Sequence, residues 1–295
     1  MAGAGATGAS GARPRDSVAR RLLGLSRPRF WLYLGGPALV GLVYAAPAPA
    51  ALSTPAALAA VAYFLVPANV FLYGVNDVFD ADIDRRNPKK GAEGREVQYR
   101  PDRRVTAAIA VAGLAGLALA AALPRPAGLA TLAFLALSVA YSAPPIRFKT
   151  TPLLDSLSNG LYVLPAVVTY EAVAGTHPPL LAVLGGWLWT MAMHTFSAIP
   201  DVEPDRAAGV RTTATVLGAS GALSYCGAAW LAAAVAMAAH HPALGALFGV
   251  YPALVAGIAV ADVPLERAYW WFPVVNAVAG ATLTVGGLWM VVGGG

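Results

Sequence analysis

Apolar stretches long enough to cross a hydrocarbon core recur along this chain, separated by polar loops. Nine can be counted, at residues 30–47, 56–75, 105–123, 127–143, 156–174, 180–199, 214–238, 243–261 and 268–292. A lipid-exposed backbone must satisfy its own hydrogen bonds, so each stretch is expected to be a helix. The composition agrees, with 58% of the 295 residues hydrophobic and 12% charged, against about 25% charged in an ordinary soluble domain. The expected fold is all-α: a polytopic membrane protein of nine transmembrane helices.

The loops set the orientation. Six Lys and Arg precede the first stretch, eight lie between Asp77 and Arg104, and the others on that side are Arg147, Lys149, Arg206, Arg211 and Arg267; Arg125 alone falls opposite. The positive-inside rule places the loaded side, with the N-terminus, in the cytoplasm and the C-terminus across the membrane. The net charge of +5 thus reflects topology and attraction to anionic membrane lipids, and no basic stripe with interleaved aromatics points to nucleic acid. Residues 1–25 read as a disordered cytoplasmic tail and 26–295 as one helical domain. The lone cysteine, Cys226, excludes an internal disulfide. Of the four histidines only His194 falls in a span, so no zinc site is written here.

Two acidic strings stand where apolar stretches run out on the cytoplasmic side: NDVFDADID at Asn76 to Asp84 and DVEPD at Asp201 to Asp205. An Asp at the centre of a spanning helix costs roughly 2.5–3.5 kcal/mol, so such clusters belong at the interface or beside compensating cations. If the second span continues as a helix, Asn69, Tyr73, Asn76, Asp80 and Asp84 fall on one stripe, with Asp77 at its edge and Asp82 turned away. Asp201 and Asp205 repeat the spacing of four, Glu203 lies off their face, and Asn159 and Tyr162 follow Asp155 at helical intervals. Oxygens stacked one turn apart can chelate Mg²⁺, which takes its remaining ligands from water and substrate phosphates. Arg85, Arg86, Arg147, Lys149, Arg206 and Arg211 share that side and can neutralise a diphosphate. The plainer alternative is ordinary interface charge. A transporter or lipid-binding protein is the competing class, but it calls for polar groups at mid-membrane on several spans.

NDxxDxxxD after the second span, YSAPP with a downstream Lys after the fourth, and DxxxD followed by RxxGxRT after the sixth resemble the UbiA superfamily of intramembrane prenyltransferases over essentially the whole chain. The resemblance implies nine helices around a central cavity with a cytoplasmic-side cap. It implies a prenyl diphosphate held on two Mg²⁺ ions, with Asn76, Asp80 and Asp84 serving one and Asp201 and Asp205 the other, and an apolar acceptor entering from the lipid phase. Tyr141, Arg147 and Lys149 match the diphosphate-binding region after the fourth span. The family's Lys follows its Tyr after four residues, whereas Lys149 lies eight beyond Tyr141 and Arg147 six, so either cation can take the role. SRPRFWLYLGGPALVG, AYSAPPIRFK and IPDVEPDRAAGVRTTATVLG are most similar to the carotenoid branch, the lycopene elongases. An aromatic-acid or quinone-precursor acceptor is the alternative.

Such an enzyme would draw charge off the diphosphate as the allylic carbon–oxygen bond breaks, and a double bond of the acceptor would attack the cation in a water-poor site. The final cation then loses a proton or captures water. Asn69, Tyr73, Asn159, Tyr162 and His194 are the expected acceptor contacts. His194, seven residues before Asp201, is a candidate base, against the blander reading of a histidine satisfied by a neighbouring helix. Glu171 is expected at the outer interface, remote from catalysis.

Overall fold

The computed structural model describes residues 18–84 and 103–293, and the regular elements among them are helical. Among the described residues six helical segments, two of them running across a short break, are long and apolar enough to cross a membrane: Pro55–Asp80, Arg103–Ala122, Leu180–Ala207, Thr213–His240, Pro242–Val260 and Leu265–Gly293. The remaining expected spans are shorter or broken. α1 is Val18–Leu25 and α2 is Trp31–Ala45; at 15 residues α2 is about 22 Å long, less than a typical hydrocarbon core. Residues 18–25, expected as the end of the tail, are helical because Leu22 and Leu25 fall on one face and pack against Val75, Val105 and Ile109.

The second expected span is two helices, α3 (Pro55–Leu65) and α4 (Pro67–Asp84). Pro67 has no N–H and disfavours the helical region at the residue before it, and Val66 breaks the helix at φ −128°. The buried Asn69 side chain serves the break, its Nδ2 donating to the carbonyls of Phe64 at 3.1 Å and Leu65 at 3.0 Å. Asn69 therefore joins two helices, and its amide nitrogen is spent on the break.

α5 (Arg103–Ala122) and α6 (Arg125–Ser142) follow as an antiparallel pair. The expected fifth span is interrupted: α7 (Leu154–Leu157) and a 3₁₀ turn (Ser158–Tyr162) precede α8 (Leu164–Ala174). α8 packs on α2 at close range, where Gly41 faces the Ala166 carbonyl and Thr169 Oγ1 donates to the Ala38 carbonyl at 2.8 Å. Glu171, expected at the outer interface, is buried near the end of α8, with Oε1 2.6 Å from Nδ1 of the exposed His177.

α9 (Leu180–Ala198), a 3₁₀ turn (Ile199–Asp201), α10 (Val202–Ala207), α11 (Thr213–His240), α12 (Pro242–Val260) and α13 (Leu265–Gly293) complete the chain. Gly218, at φ 72°, kinks α11 one turn after its start, a backbone conformation glycine adopts without steric penalty.

Two apolar cores result. One joins α2, α3, α4, α5, α6 and α8 through Leu34, Phe64, Leu72, Phe134 and Val168. The other joins α9, α11, α12 and α13 through Phe196, Trp230, Tyr251 and Phe272, with Trp230 stacked on Phe272 at 5.4 Å between centroids. Polar segments cross between the two cores at α7 and the turn that follows it.

Candidate active site

α4 presents the first acidic string on its last two turns, where Asn76 and Asp80 stand one above the other. The loop after α6 returns over them. Lys149 Nζ donates to Asn76 Oδ1 at 3.0 Å and also to Asp80 Oδ1. Arg147 Nη2 donates to that same Asp80 oxygen at 3.0 Å, and Ser142 Oγ donates to Asn76 Oδ1 at 3.0 Å. Arg147 takes a left-handed backbone conformation, φ 41°, and opens the short turn Phe148–Thr150 that carries Lys149. That tight turn explains how a lysine eight residues beyond Tyr141 comes back to the stripe. Asp84 closes α4, and Arg85 and Arg86 lie outside the described residues.

Asp77, at the edge of the stripe, is buried against Arg27, whose Nη2 lies 3.1 Å from Asp77 Oδ1. The same guanidinium sits 4.8 Å over the Tyr73 ring, a cation–π contact, and Tyr73 Oη lies 3.4 Å from Tyr162 Oη. Arg27 belongs to the SRPRFW string, but nothing in its spacing announced its partner fifty residues away.

The second string runs from the last residue of the 3₁₀ turn into α10. Asp201 ends the 3₁₀ turn and is exposed, while Asp205 is half-buried on α10. Arg206 turns toward α11, its Nε donating to the Thr215 carbonyl at 2.7 Å, so its guanidinium braces the kinked helix start. Arg211 is exposed just before Thr212, whose capping box with Thr215 begins α11.

One buried pair ties the two loops together. Asp155 on α7 accepts from the Thr213 backbone N–H at 2.9 Å and from the Thr213 hydroxyl, and Thr213 Oγ1 accepts from the Leu153 N–H at 2.8 Å. Because α7 follows Arg147 and Lys149 directly, and Thr213 follows the DVEPD turn, the pair fixes the basic loop of the first string against the loop of the second. Spacing relates Asp155 to Asn159 and Tyr162 but not to Thr213, which sits in a TT repeat that carries no signal of its own.

The expected acceptor contacts divide. Asn159 is buried, its Nδ2 donating to the Asp155 carbonyl at 2.6 Å. Tyr141 and His194 meet edge to face at 6.1 Å, and His194 Nε2 lies 3.9 Å from Asp155 Oδ2. Tyr73, Tyr141, Tyr162 and His194 thus border one polar region, while Asn69 belongs to the helix break.

Oxygen donors at Asn76 and Asp80 converge on a single ammonium, Lys149 Nζ. A pair of hard oxygens that one point charge satisfies fits a hard divalent cation. Among the described residues no three His, Cys, Asp or Glu side chains gather closely enough to cage a metal alone.

Fold and site together define an integral-membrane helical transferase whose polar chemistry sits where its helices end. The chain belongs to the UbiA prenyltransferase family, whose model matches residues 34–272. It is 60% identical over 270 residues to a lycopene elongase/hydratase of Haloferax volcanii, covering 92% of this chain and 89% of that protein. It is 55% identical over 281 residues to a lycopene elongase/hydratase of Haloarcula japonica, covering 95% of each. Its fold is similar to that of a UbiA homolog from Archaeoglobus fulgidus solved with GPP and Mg2+, with TM-score 0.71, 21% identity, and coverage of 91% of this chain and 99% of that one. Membership in a family of transferases sets the transporter reading aside.

Proposed function

We propose that this chain transfers an allylic prenyl group, of which dimethylallyl is the favoured size, from its diphosphate to the end of lycopene, and completes the step by hydration. The convergence of Lys149 and Arg147 on Asn76 and Asp80 is the observation that carries the diphosphate site. The lycopene acceptor is supported by relatives at 55–60% identity over more than nine-tenths of the chain.

Asn76, Asp80 and Asp84 would hold one Mg²⁺, and Asp201 and Asp205 a second, across the loops joined by Asp155 and Thr213. Bound there, the metal supplies electrostatic relief to the charge that builds on the departing diphosphate. Arg147 and Lys149 hold the diphosphate oxygens, with Arg211 at the mouth of the second loop; Arg85 and Arg86 remain proposed contacts from the sequence. Tyr73, Tyr141 and Tyr162 offer aromatic faces beside the site, which suit an allylic cation. The terminal alkene of lycopene attacks that cation. We take the chain to cross the membrane nine times, with the N-terminus and this site cytoplasmic, and the apolar acceptor to enter from the lipid.

Incubation of purified protein with Mg²⁺, dimethylallyl diphosphate and either lycopene or 4-hydroxybenzoate tests the assignment. A product heavier than lycopene by one or two prenyl units, each accompanied by the elements of water, is expected, and prenylation of the phenolic acid alone would overturn it.

A further inference from the structure

Prenyl transfer itself uses neither the buried carboxylate of Asp155 nor the imidazole of His194, yet the fold holds both beside the reaction region. Ionisable groups within membrane helices are costly and mark function more often than packing. Asp155 is 1% exposed and cannot turn: Oδ2 takes the Thr213 N–H and Oδ1 the Thr213 hydroxyl. Oδ2 also faces His194 Nε2 at 3.9 Å, and the His194 side chain retains 21% exposure where the Asp155 side chain has 1%. The sealed carboxylate therefore lies behind a ring that is partly open. Tyr141 meets that ring edge to face, and Tyr141 also lies at the end of the helix that leads into the basic loop.

Hydroxyl groups crowd the same level. Ser156 Oγ donates to the Met191 carbonyl at 3.0 Å and lies 2.9 Å from Tyr225 Oη, and Thr195 Oγ1 donates to Ser156 Oγ at 3.0 Å. Asp155, Ser156 and Asn159 on one side and His194 and Thr195 on the other make a polar patch between α7 and α9 in an otherwise apolar bundle. A site needed only to shelter a carbocation gains nothing from such a patch. A site that must also deliver water to that cation does.

Resting on the transfer to lycopene proposed above, we propose that His194, whose Nε2 faces the Asp155 carboxylate across 3.9 Å, is the general base that adds water to the carbocation left after the new carbon–carbon bond forms. The electron pair of the lycopene terminal alkene forms the bond to the allylic carbon, and the carbon–oxygen pair leaves with diphosphate. The tertiary cation so produced accepts a lone pair of one water molecule. An O–H bond of that water then breaks, its electrons remaining on oxygen and its proton passing to His194 Nδ1, which later returns it to released diphosphate or solvent. Asp155 balances the imidazolium charge, as the carboxylate does in other carboxylate–imidazole pairs. Without the base the same cation sheds a proton from a neighbouring carbon and ends as an alkene. His194 thus selects the alcohol over the alkene.

Wild type, His194→Gln, His194→Asn, Asp155→Asn and Asp155→Glu are compared with Mg²⁺, dimethylallyl diphosphate and lycopene in ¹⁸O-labelled water, and products are resolved by mass. Asp155→Asn keeps an acceptor oxygen for Thr213 while removing the charge. The expected result is labelled alcohol from wild type and continued diphosphate release in His194→Gln, with the alcohol-to-alkene ratio lowered at least about tenfold in that variant and in whatever product the slower Asp155→Asn forms, as loss of a general base requires. An unchanged ratio in elongating variants, or alcohol and alkene falling in step, overturns the role. Loss of elongation in all four variants overturns it too, for it would tie the pair to folding or to the first step. Wild type that elongates lycopene without taking up label contradicts this inference alone, whereas wild type that makes no elongated carotenoid contradicts the assignment beneath it.

Discussion

Asp155 binds Thr213 through both carboxylate oxygens, one to the backbone N–H at 2.9 Å and one to the hydroxyl, and the contact bridges residues 58 positions apart. Through it the loop that covers the first acidic string is held against the loop that contains the second. Thr213→Val keeps the backbone donor but deletes the hydroxyl. Leaving a buried carboxylate oxygen and the Leu153 N–H without that partner should cost about 1–3 kcal/mol. A lowered Tm in detergent checks this, and turnover should fall with it.

Lys149 and Arg206 are both basic residues near acidic strings, and the structure separates their tasks. Lys149→Met removes the ammonium that meets Asn76 and Asp80, and the KM for the allylic diphosphate should rise about 10- to 100-fold, the worth of one charged hydrogen bond. Arg206→Gln loses the bond to the Thr215 carbonyl and should lower Tm while changing that KM by much less. Equal effects of the two substitutions on KM would contradict the division.

Much of this was readable from residue order, and the exceptions have physical causes. Apolar run length announced the helices, and the four-residue spacing of Asn76 and Asp80 announced the stripe that Lys149 and Arg147 now cover. The break at Val66–Pro67 was hidden because apolar residues flank the proline on both sides, Tyr63 to Val66 before it and Val70 to Leu72 after, so hydropathy runs across it. The interrupted segment before α8 was hidden because Leu157, Leu161, Val163 and Leu164 around the Ser-Asn-Gly of the turn keep the stretch apolar. Arg27 with Asp77 and Asp155 with Thr213 are long-range pairs, and a single chain gives no periodic signal for those.

Asn69 tests the distinction between a helix joint and an acceptor contact. Asn69→Ala abandons the carbonyls of Phe64 and Leu65, for an expected loss of about 1–3 kcal/mol in thermal unfolding. The KM for the acceptor should stay within a factor of about two, because the side chain points into the break.

Close approach of α2 and α8 yields a paired prediction within one helix. A methyl group at Gly41 would run into the Ala166 carbonyl and Thr169 Oγ1, whereas at Gly36 it meets nothing within 4 Å. Gly41→Ala should destabilise by about 1–3 kcal/mol, the cost of overpacking. Gly36→Ala should be neutral or slightly stabilising, because alanine is the better helix former. Thermal shifts of the two purified variants measure the difference.

Both acidic strings gripping one diphosphate is the claim on which the chemistry stands, and diffraction from crystals grown with Mn²⁺ and a non-cleavable dimethylallyl diphosphate analogue would address it most directly. Anomalous peaks are expected beside Asn76 and Asp80 and beside Asp201 and Asp205, with the analogue's phosphates between them and in reach of Lys149 or Arg147. An analogue bound with metal at a single string, or two strings too far apart to touch the same phosphates, would contradict it.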